Sequence, residues 1–427
     1  MTSNGMEPDP SGIDELDERR YVRELLELIV RECPRRQATS RDELRAHRIM
    51  QDRFDRLGFR SCLEGFRFND SLYANLALHF GLGTLGTAVS GVAPLAGFAL
   101  HALAGTSFLL DSTRRAFVLR RALPFKPSQN LVVTLPARTE PELRVVLMGH
   151  VDAAFTGLLF HPELIRCTSP RNLPRPLRFL GRTLAVPTYS QFLLAGLDLL
   201  RVCLGPLAWP LRPLEFALSL PALVAFVVNL QIVVRDEVVP GANDDLTGVA
   251  AVALLARRLA PVKPDGVELV FAITGAEEAS MGGAQALLDD RRERWEKDRT
   301  VVMALDGLAG GELRYFEEGE LWHVPVAGWL RDLIGQVARS EPRFSTVRGF
   351  RIPAGATDVL PFCCAGYDGV GIGCVDPRIQ APRHYHQPSD TPENVAPDEV
   401  VLAMDFTEKL VRAIVRRRLG IEMGSSG

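Results

Sequence analysis

Five short segments of this sequence hold side chains suited to metal or acid–base chemistry. His150 and Asp152 lie in "GHVDAAF" (149–155), and Asp244 and Asp245 in "GANDDLTG" (241–248). Glu277 and Glu278 lie in "TGAEEASMGG" (274–283), Asp306 in "ALDGLAGG" (304–311), and His384 and His386 in "RHYHQPSDTPENV" (383–395). Imidazoles and carboxylates, with no thiolate required, suit zinc, which takes nitrogen and oxygen ligands at roughly 2.0–2.2 Å. Two ions about 3.5–4 Å apart need a bridging carboxylate, further ligands on each side and a general base that is not a ligand. Two histidines, three acids and a spare glutamate meet that need. Singly, each signal is ordinary: an Asp at a strand end is often only a helix cap, and paired glutamates commonly open a solvated helix. Their joint order carries the weight.

The elements that must position them read as an alternation of strands and helices. Residues 13–35 and 39–58 carry apolar positions at helical spacing among many charges. "NLVVTLP" (130–136) and "RVVLMGH" (144–150) read as strands joined by a polar turn. A helix is expected over 246–260, a strand over 267–274, a helix from about 280 to 290 and a strand over 300–306. A helix over 325–340, a short strand at 369–373 and a long terminal helix over 398–419 complete the pattern. Such alternation argues for an α/β domain with a mainly parallel sheet. Each chemical group falls at the carboxyl end of an expected strand or in the loop beyond it, the edge where sites assemble in open α/β sheets.

Two stretches break the pattern. Ser71 to Leu110 contains no Asp, Glu, Lys or Arg, and "FALSLPALVAFVVNLQIVV" (216–234) closes a second apolar region that begins near 190. A spanning helix needs roughly 20 apolar residues, so each stretch has room for two passes as a hairpin, the first only for short passes or a re-entrant dip. The α/β pattern resumes after each, which requires an even number of passes. Arg114, Arg115, Arg120, Arg121 and Lys126 follow the first stretch, Arg166, Arg171, Arg175, Arg178 and Arg182 precede the second, and Arg235 follows it. The positive-inside rule then places the catalytic domain in the cytoplasm. The competing reading is a hydrophobic cap on a soluble enzyme, favoured by Pro206, Pro210, Pro213, Pro221, Asp198 and Arg201 in the second region.

The net charge of −3 supplies no basic field for nucleic acid. Seven cysteines, an odd number without a CxxC pair, argue against a disulfide framework and for a reducing compartment. The polar, acidic residues 1–12 read as a disordered leader rather than a signal peptide, and 421–427 as a disordered tail.

Together, "GHVD", "GANDDLTGVA", "AEEASMGGAQAL", "ALDG" and "YHQPSDTPENV" resemble the M28 family of di-zinc peptidases, the aminopeptidase-like zinc exopeptidases. The resemblance covers roughly 13–70, 127–153 and 236–418 in the family's order. It implies an α/β zinc-exopeptidase (phosphorylase/hydrolase-like) fold with a mixed, mainly parallel sheet flanked by helices. It further implies that His150 and Asp306 bind one zinc, Glu278 and His386 the other, and that Asp244 bridges them. Asp152 would orient the His150 ring, and Glu277 would be the general base. Cobalt or manganese are alternatives to zinc in so oxygen-rich a site.

Departures are visible. About ninety residues separate the His-x-Asp and Gly-Ala-x-Asp blocks, where the family usually has a short loop. Both apolar insertions fall between family elements and bear on access to the site rather than on its metal chemistry. "GATDVLPF" (355–362) resembles a segment that often carries Ser-Asp-His, and here the His is absent. The expected organisation is a catalytic unit of 13–70, 127–153 and 236–420, interrupted by insertions at 71–126 and 154–235 that engage a lipid bilayer. The leading expectation is a membrane-associated enzyme that cleaves short peptides, as an aminopeptidase. The alternatives are a glutaminyl-cyclase-like acyltransferase, which typically uses one zinc, and a non-catalytic receptor or scaffold on a peptidase fold.

Overall fold

A single eight-stranded sheet organises the computed structural model, which describes residues 15–168, 172–353 and 355–424. The expected leader 1–12 and the last residues of the tail lie outside the described residues. The strands are β1 (Ser61–Phe68), β2 (Lys126–Leu135), β3 (Leu143–His150), β4 (Val267–Thr274), β5 (Thr300–Leu305), β6 (Glu312–Glu317), β7 (Gly349–Arg351) and β8 (Asp368–Val375). Their order is β1-β2-β4-β3-β5-β8-β6-β7. The centre, β4-β3-β5-β8, is parallel. Strand β2 pairs antiparallel with both β1 and β4, and β6 antiparallel with β8.

β2 and β3 follow each other in sequence but are not neighbours, because β4 lies between them. The reason lies in burial: all eight residues of β3 are buried. A strand covered on both faces belongs in the parallel centre, so its partners are β4 and β5 rather than the strand before it.

The helices are α1 (Glu15–Glu32), α2 (Arg41–Arg56), α3 (Leu72–Ser90), α4 (Pro94–Ser112), α5 (Pro162–Thr168), α6 (Ala185–Leu204), α7 (Arg212–Arg235), α8 (Leu246–Leu259), α9 (Gly282–Arg291), α10 (Gly328–Ser340), α11 (Leu360–Cys364) and α12 (Pro397–Leu419). Helix α8 is nearly all apolar and is the centre of the main core, with Val249, Val252, Leu254 and Leu255 fully buried beside Leu147, Phe271 and Met404. Each such side chain contributes roughly 1.5–3 kcal/mol of burial. The start of α8 lies directly on the end of β3: a Cβ at Gly149 would stand 2.8 Å from the Gly248 backbone. That close approach brings the Asp244–Asp245 turn to the tip of β3.

Helices α3, α4, α6 and α7 form two antiparallel hairpins packed on each other. Their polarity is inverted relative to a soluble bundle. Leu193, Trp209, Phe216, Val224, Val227 and Val234 face outward and are exposed. Asn75, His79, His101, Gln191, Asp198, Arg201 and Glu215 are buried. Inside, His79 Nε2 meets Ser107 Oγ at 2.8 Å and His101 Nδ1 meets Asp198 Oδ2 at 2.8 Å. Arg201 donates to Ser90 Oγ at 2.6 Å and to Glu215 at 2.9 Å. Among the described residues, two helical segments, Pro94–Ser112 and Leu207–Arg235, are long and apolar enough to cross a membrane. Not all of the basic flank faces solvent. Arg120 is fully buried in a bidentate pair with Asp111, at 2.7 and 2.8 Å.

Candidate metal centre

The site is assembled at the carboxyl edge of the central strands. His150 is the last residue of β3, Glu277 and Glu278 follow β4, and Asp306 follows β5. Asp244 precedes α8, and His386 lies in the loop between β8 and α12. Of the seven side chains to which the resemblance gives a role, the structure brings six into one cluster. His150 Nε2 is 3.2 Å from Asp244 Oδ1 and 3.8 Å from Glu277 Oε2. His386 Nε2 is 3.3 Å from Asp244 Oδ2 and 3.4 Å from Glu278 Oε1. Three groups of side chains each converge closely enough to hold an ion: His150–Asp244–Asp306, Asp244–Glu278–His386 and His150–Glu277–Glu278, with donor atoms within 4.8 Å of one another. His384 is not among them; its Nδ1 meets Ser389 Oγ at 2.8 Å.

The seventh residue, Asp152, stands behind the cluster. His150 Nδ1 lies 3.0 Å from the Asp152 backbone carbonyl and 3.6 Å from its carboxylate. The carboxylate is engaged elsewhere: Oδ1 accepts the Glu277 N–H and Oδ2 the Glu278 N–H, each at 3.0 Å. Asp152 therefore orients the His150 ring mainly through its main chain, while its side chain fixes the turn that carries both glutamates.

Several further residues support the cluster. Asp245 Oδ2 accepts the His150 N–H at 3.0 Å, and its Oδ1 accepts from Gly248 and Gly307 at 2.9 and 3.1 Å, so one carboxylate ties β3, β5 and α8 together. Asp390 accepts the Asn243 and Asp244 N–H groups at 2.7 and 3.1 Å. Glu43, on α2, accepts the Ala276 N–H at 2.8 Å. Arg36 is fully buried and donates to the carbonyls of Val151, Pro240 and Gly241. Asp358, in "GATDVLPF", pairs through Oδ2 with Thr274, and its buried Oδ1 has no hydrogen-bond partner. A signal for Asp358 was present, since its segment resembles one in the family. Arg36 and Glu43 offer none, because only the fold brings the α1–α2 turn and the start of α2 under the loop.

The electrostatics are those of a crowded acid cluster. Burial pushes the Glu277 carboxyl well above the ordinary range, against the pull of His150, and Asp358, Glu278 and Asp306 add to the rise. Burial and the adjacent Asp244 raise Asp306 to about 8. Burial works against ionisation of Asp244 too, but hydrogen bonds from His150 and His386 hold it below the usual carboxylate range. Burial disfavours charge on His150, yet Glu277, Asp152 and Asp244 outweigh it and hold the imidazole well above its ordinary pKa. Protons occupy positions here that a dication takes on binding. Buried carboxylates this close cannot all ionise without cations between them. Glu278 Oε1 is buried and accepts no hydrogen bond, an acceptor facing the Asp244–His386 gap. The donor set is thus suited to zinc.

Residues 229–411 match the model of peptidase family M28. No curated protein matches the sequence. Among solved structures the chain is similar to an aminopeptidase from Aneurinibacillus sp. strain AM-1, at 14% identity and TM-score 0.53, covering 96% of this chain and 95% of that one. It is similar to a glutaminyl cyclase from an Acidobacteriales bacterium at 14% identity and TM-score 0.53, over 97% and 99% of the two chains. BSAP, a zinc aminopeptidase from Bacillus subtilis, is similar at 13% identity and TM-score 0.52, over 92% and 94%. At such identities the likeness speaks to the fold, which is that of the aminopeptidase-like zinc exopeptidases. Residues 229–411 thus carry the pattern of peptidase family M28, set within a fold like that of the zinc exopeptidases.

Proposed function

We propose that the protein is a membrane-seated di-zinc aminopeptidase acting on short peptides, with its catalytic domain on the cytoplasmic side. The observation that carries the reading is the sharing of Asp244: its Oδ1 faces His150 and its Oδ2 faces His386. His150 and Asp306 would hold one ion, Glu278 and His386 the other, with Asp244 between. Zinc, when bound, supplies Lewis acidity that polarises a scissile carbonyl and acidifies water. Glu277 sits beside this pair of donor sets without being needed in either. Burial and neighbouring acids raise its carboxyl above the ordinary range, which favours its taking up a proton. It takes the proton of the attacking water and returns it to the leaving amine. Asp152 holds the turn that aims Glu277.

The catalytic unit is 13–70, 127–153 and 236–420, and the insertions at 71–126 and 154–235 are its membrane hairpins. Support comes from the inverted polarity of the four helices, whose apolar side chains face outward while ionisable ones are paired inside, as membrane bundles require. Helices α3, α4, α6 and α7 have 19, 19, 20 and 24 residues. At 1.5 Å per residue these reach roughly 30 Å, the thickness of a hydrocarbon core.

The test is metal content of detergent-extracted protein, wild type beside Asp244→Ala, together with hydrolysis of aminoacyl anilides. About two zinc ions per chain, falling sharply in the variant, with release of the N-terminal residue, is the expected result. A glutaminyl cyclase shares the fold. One zinc per chain, with ring closure of N-terminal glutaminyl peptides and no hydrolysis, would move the assignment to that chemistry.

A further inference from the structure

The metal cluster receives a polar side chain from outside the catalytic domain. Tyr73 is in the first turn of α3, at the base of the first apolar hairpin, and its hydroxyl lies 3.1 Å from His386 Nδ1. We propose that Tyr73 is a positioning residue for His386, so that the second metal position is completed by the membrane hairpin. This rests on the two-ion reading of the site.

A neutral imidazole that offers Nε2 to a metal must carry its proton on Nδ1, and the partner of that N–H sets both tautomer and ring orientation. His386 Nε2 is the atom facing Asp244 and Glu278. The tautomer with a free Nε2 makes Nδ1–H the donor and the Tyr73 oxygen its acceptor. His150 meets the same need within the catalytic domain, through the Asp152 carbonyl at 3.0 Å. His386 has only Tyr73 at its Nδ1 among the described hydrogen bonds.

The hydroxyl is held in place from several sides. Tyr73 is 4% exposed. Its ring meets Phe160 edge-on at 5.9 Å and Phe155 at 6.4 Å. Ile232, near the end of α7 in the second hairpin, packs into the same cluster. Ser71 caps the helix by accepting the Ala74 N–H at 3.2 Å, which fixes the turn that carries Tyr73. Phe160 also lies against the His386 ring, with centroids 4.4 Å apart. Both insertions therefore reach the imidazole, the second through Phe160, and their seating is coupled to the geometry of the second ion.

The test uses the full chain in detergent and zinc titrated against a competing chelator. Wild type, Tyr73→Phe and Phe155→Leu are compared, with the Co2+ absorption spectrum as a second readout. Tyr73→Phe keeps the ring and removes only the acceptor. The expected result is two binding steps in wild type, of which one weakens by about 10–100-fold in Tyr73→Phe while the other holds. The Co2+ spectrum should change with the weakened step, and Phe155→Leu, which keeps the hydroxyl and its packing on Phe160, should weaken that step far less. Unchanged affinities in Tyr73→Phe would overturn the proposal. So would equal weakening in Phe155→Leu, since packing alone would then explain the effect. Fewer than two steps in wild type would instead overturn the two-ion reading, and this proposal with it.

Discussion

Asp152 holds Glu277 by its backbone rather than by its side chain: Asp152 Oδ1 accepts the Glu277 N–H at 3.0 Å, and Oδ2 accepts the next N–H at the same distance. A carboxylate two residues beyond His150 thus sets where both glutamates point. Asp152→Asn replaces one acceptor oxygen by an NH2 that must face an N–H. The turn should shift, and a small misplacement of a reacting group is costly. We expect kcat to fall by about 10²-fold with a smaller change in KM. Steady-state kinetics on an aminoacyl anilide, with zinc content measured in parallel, checks this; an unchanged kcat would remove Asp152 from the account of catalysis.

Glu277→Gln isolates the proton transfer. The amide keeps the volume of the side chain but cannot accept a proton. A positioned general base contributes typically 10²–10⁴-fold, so turnover should drop by about that factor with both ions retained. Zinc analysis and turnover on the same preparation separate the outcomes. Loss of metal would make Glu277 a ligand, in line with the His150–Glu277–Glu278 convergence.

Much of this site is legible in the sequence because its chemistry sits at strand ends. "RVVLMGH" and "VELVFAIT" are apolar runs that stop at a polar residue, and both strands end where that reading places them. Helix α8 was equally visible from its small and apolar residues. The outer strands were not: β1, β6 and β7 alternate charged and apolar residues and are only partly buried. Neither was the place of β4 between β2 and β3, because pairing order depends on which strands the helices cover. The supporting acids differ in this respect. Asp245 and Asp390 lie within the quoted blocks, although their contacts with backbone N–H groups of distant segments do not show there, and Glu43 lies in no such block.

Glu318 gives a pH dependence of stability. Its carboxyl is buried and accepts from Thr357 N at 3.0 Å and Thr357 Oγ1 at 2.8 Å. Burial raises it from 4.5 to about 7, the Thr357 hydrogen bonds opposing. The folded chain then binds this proton more tightly than the unfolded chain. Its contribution to stability is complete below the unfolded pKa and is lost as pH rises through about 7. The loss is on the order of 3 kcal/mol at most. Glu318→Gln does not titrate, so its Tm should fall less than that of wild type between pH 5 and pH 8. Parallel melts at the two pH values check the sign; identical pH slopes would mean that Glu318 is ionised throughout.

Asp198 tests whether the polar interior holds the four helices together. It is fully buried on α6, where it accepts from Ser90 of α3 and meets His101 of α4 at 2.8 Å, with Arg201 at 3.8 Å. Arg201 in turn bonds Glu215 of α7, so one cluster touches every helix of the bundle. Asp198→Ala leaves His101 and Ser90 without their acceptor and removes a negative charge beside Arg201. Removing one partner of a buried pair costs about 3–5 kcal/mol because the other is left uncompensated. The variant should lose its helical signal in detergent at a clearly lower temperature than wild type. Zinc content should hold, because Ser90 is seventeen residues beyond Tyr73 on α3, about 25 Å along the helix axis. Circular dichroism melts with metal analysis before heating distinguish the outcomes. A variant as stable as wild type would show that apolar packing alone holds the hairpins, and a variant that loses zinc at low temperature would show that the far end of the bundle and the metal centre are coupled.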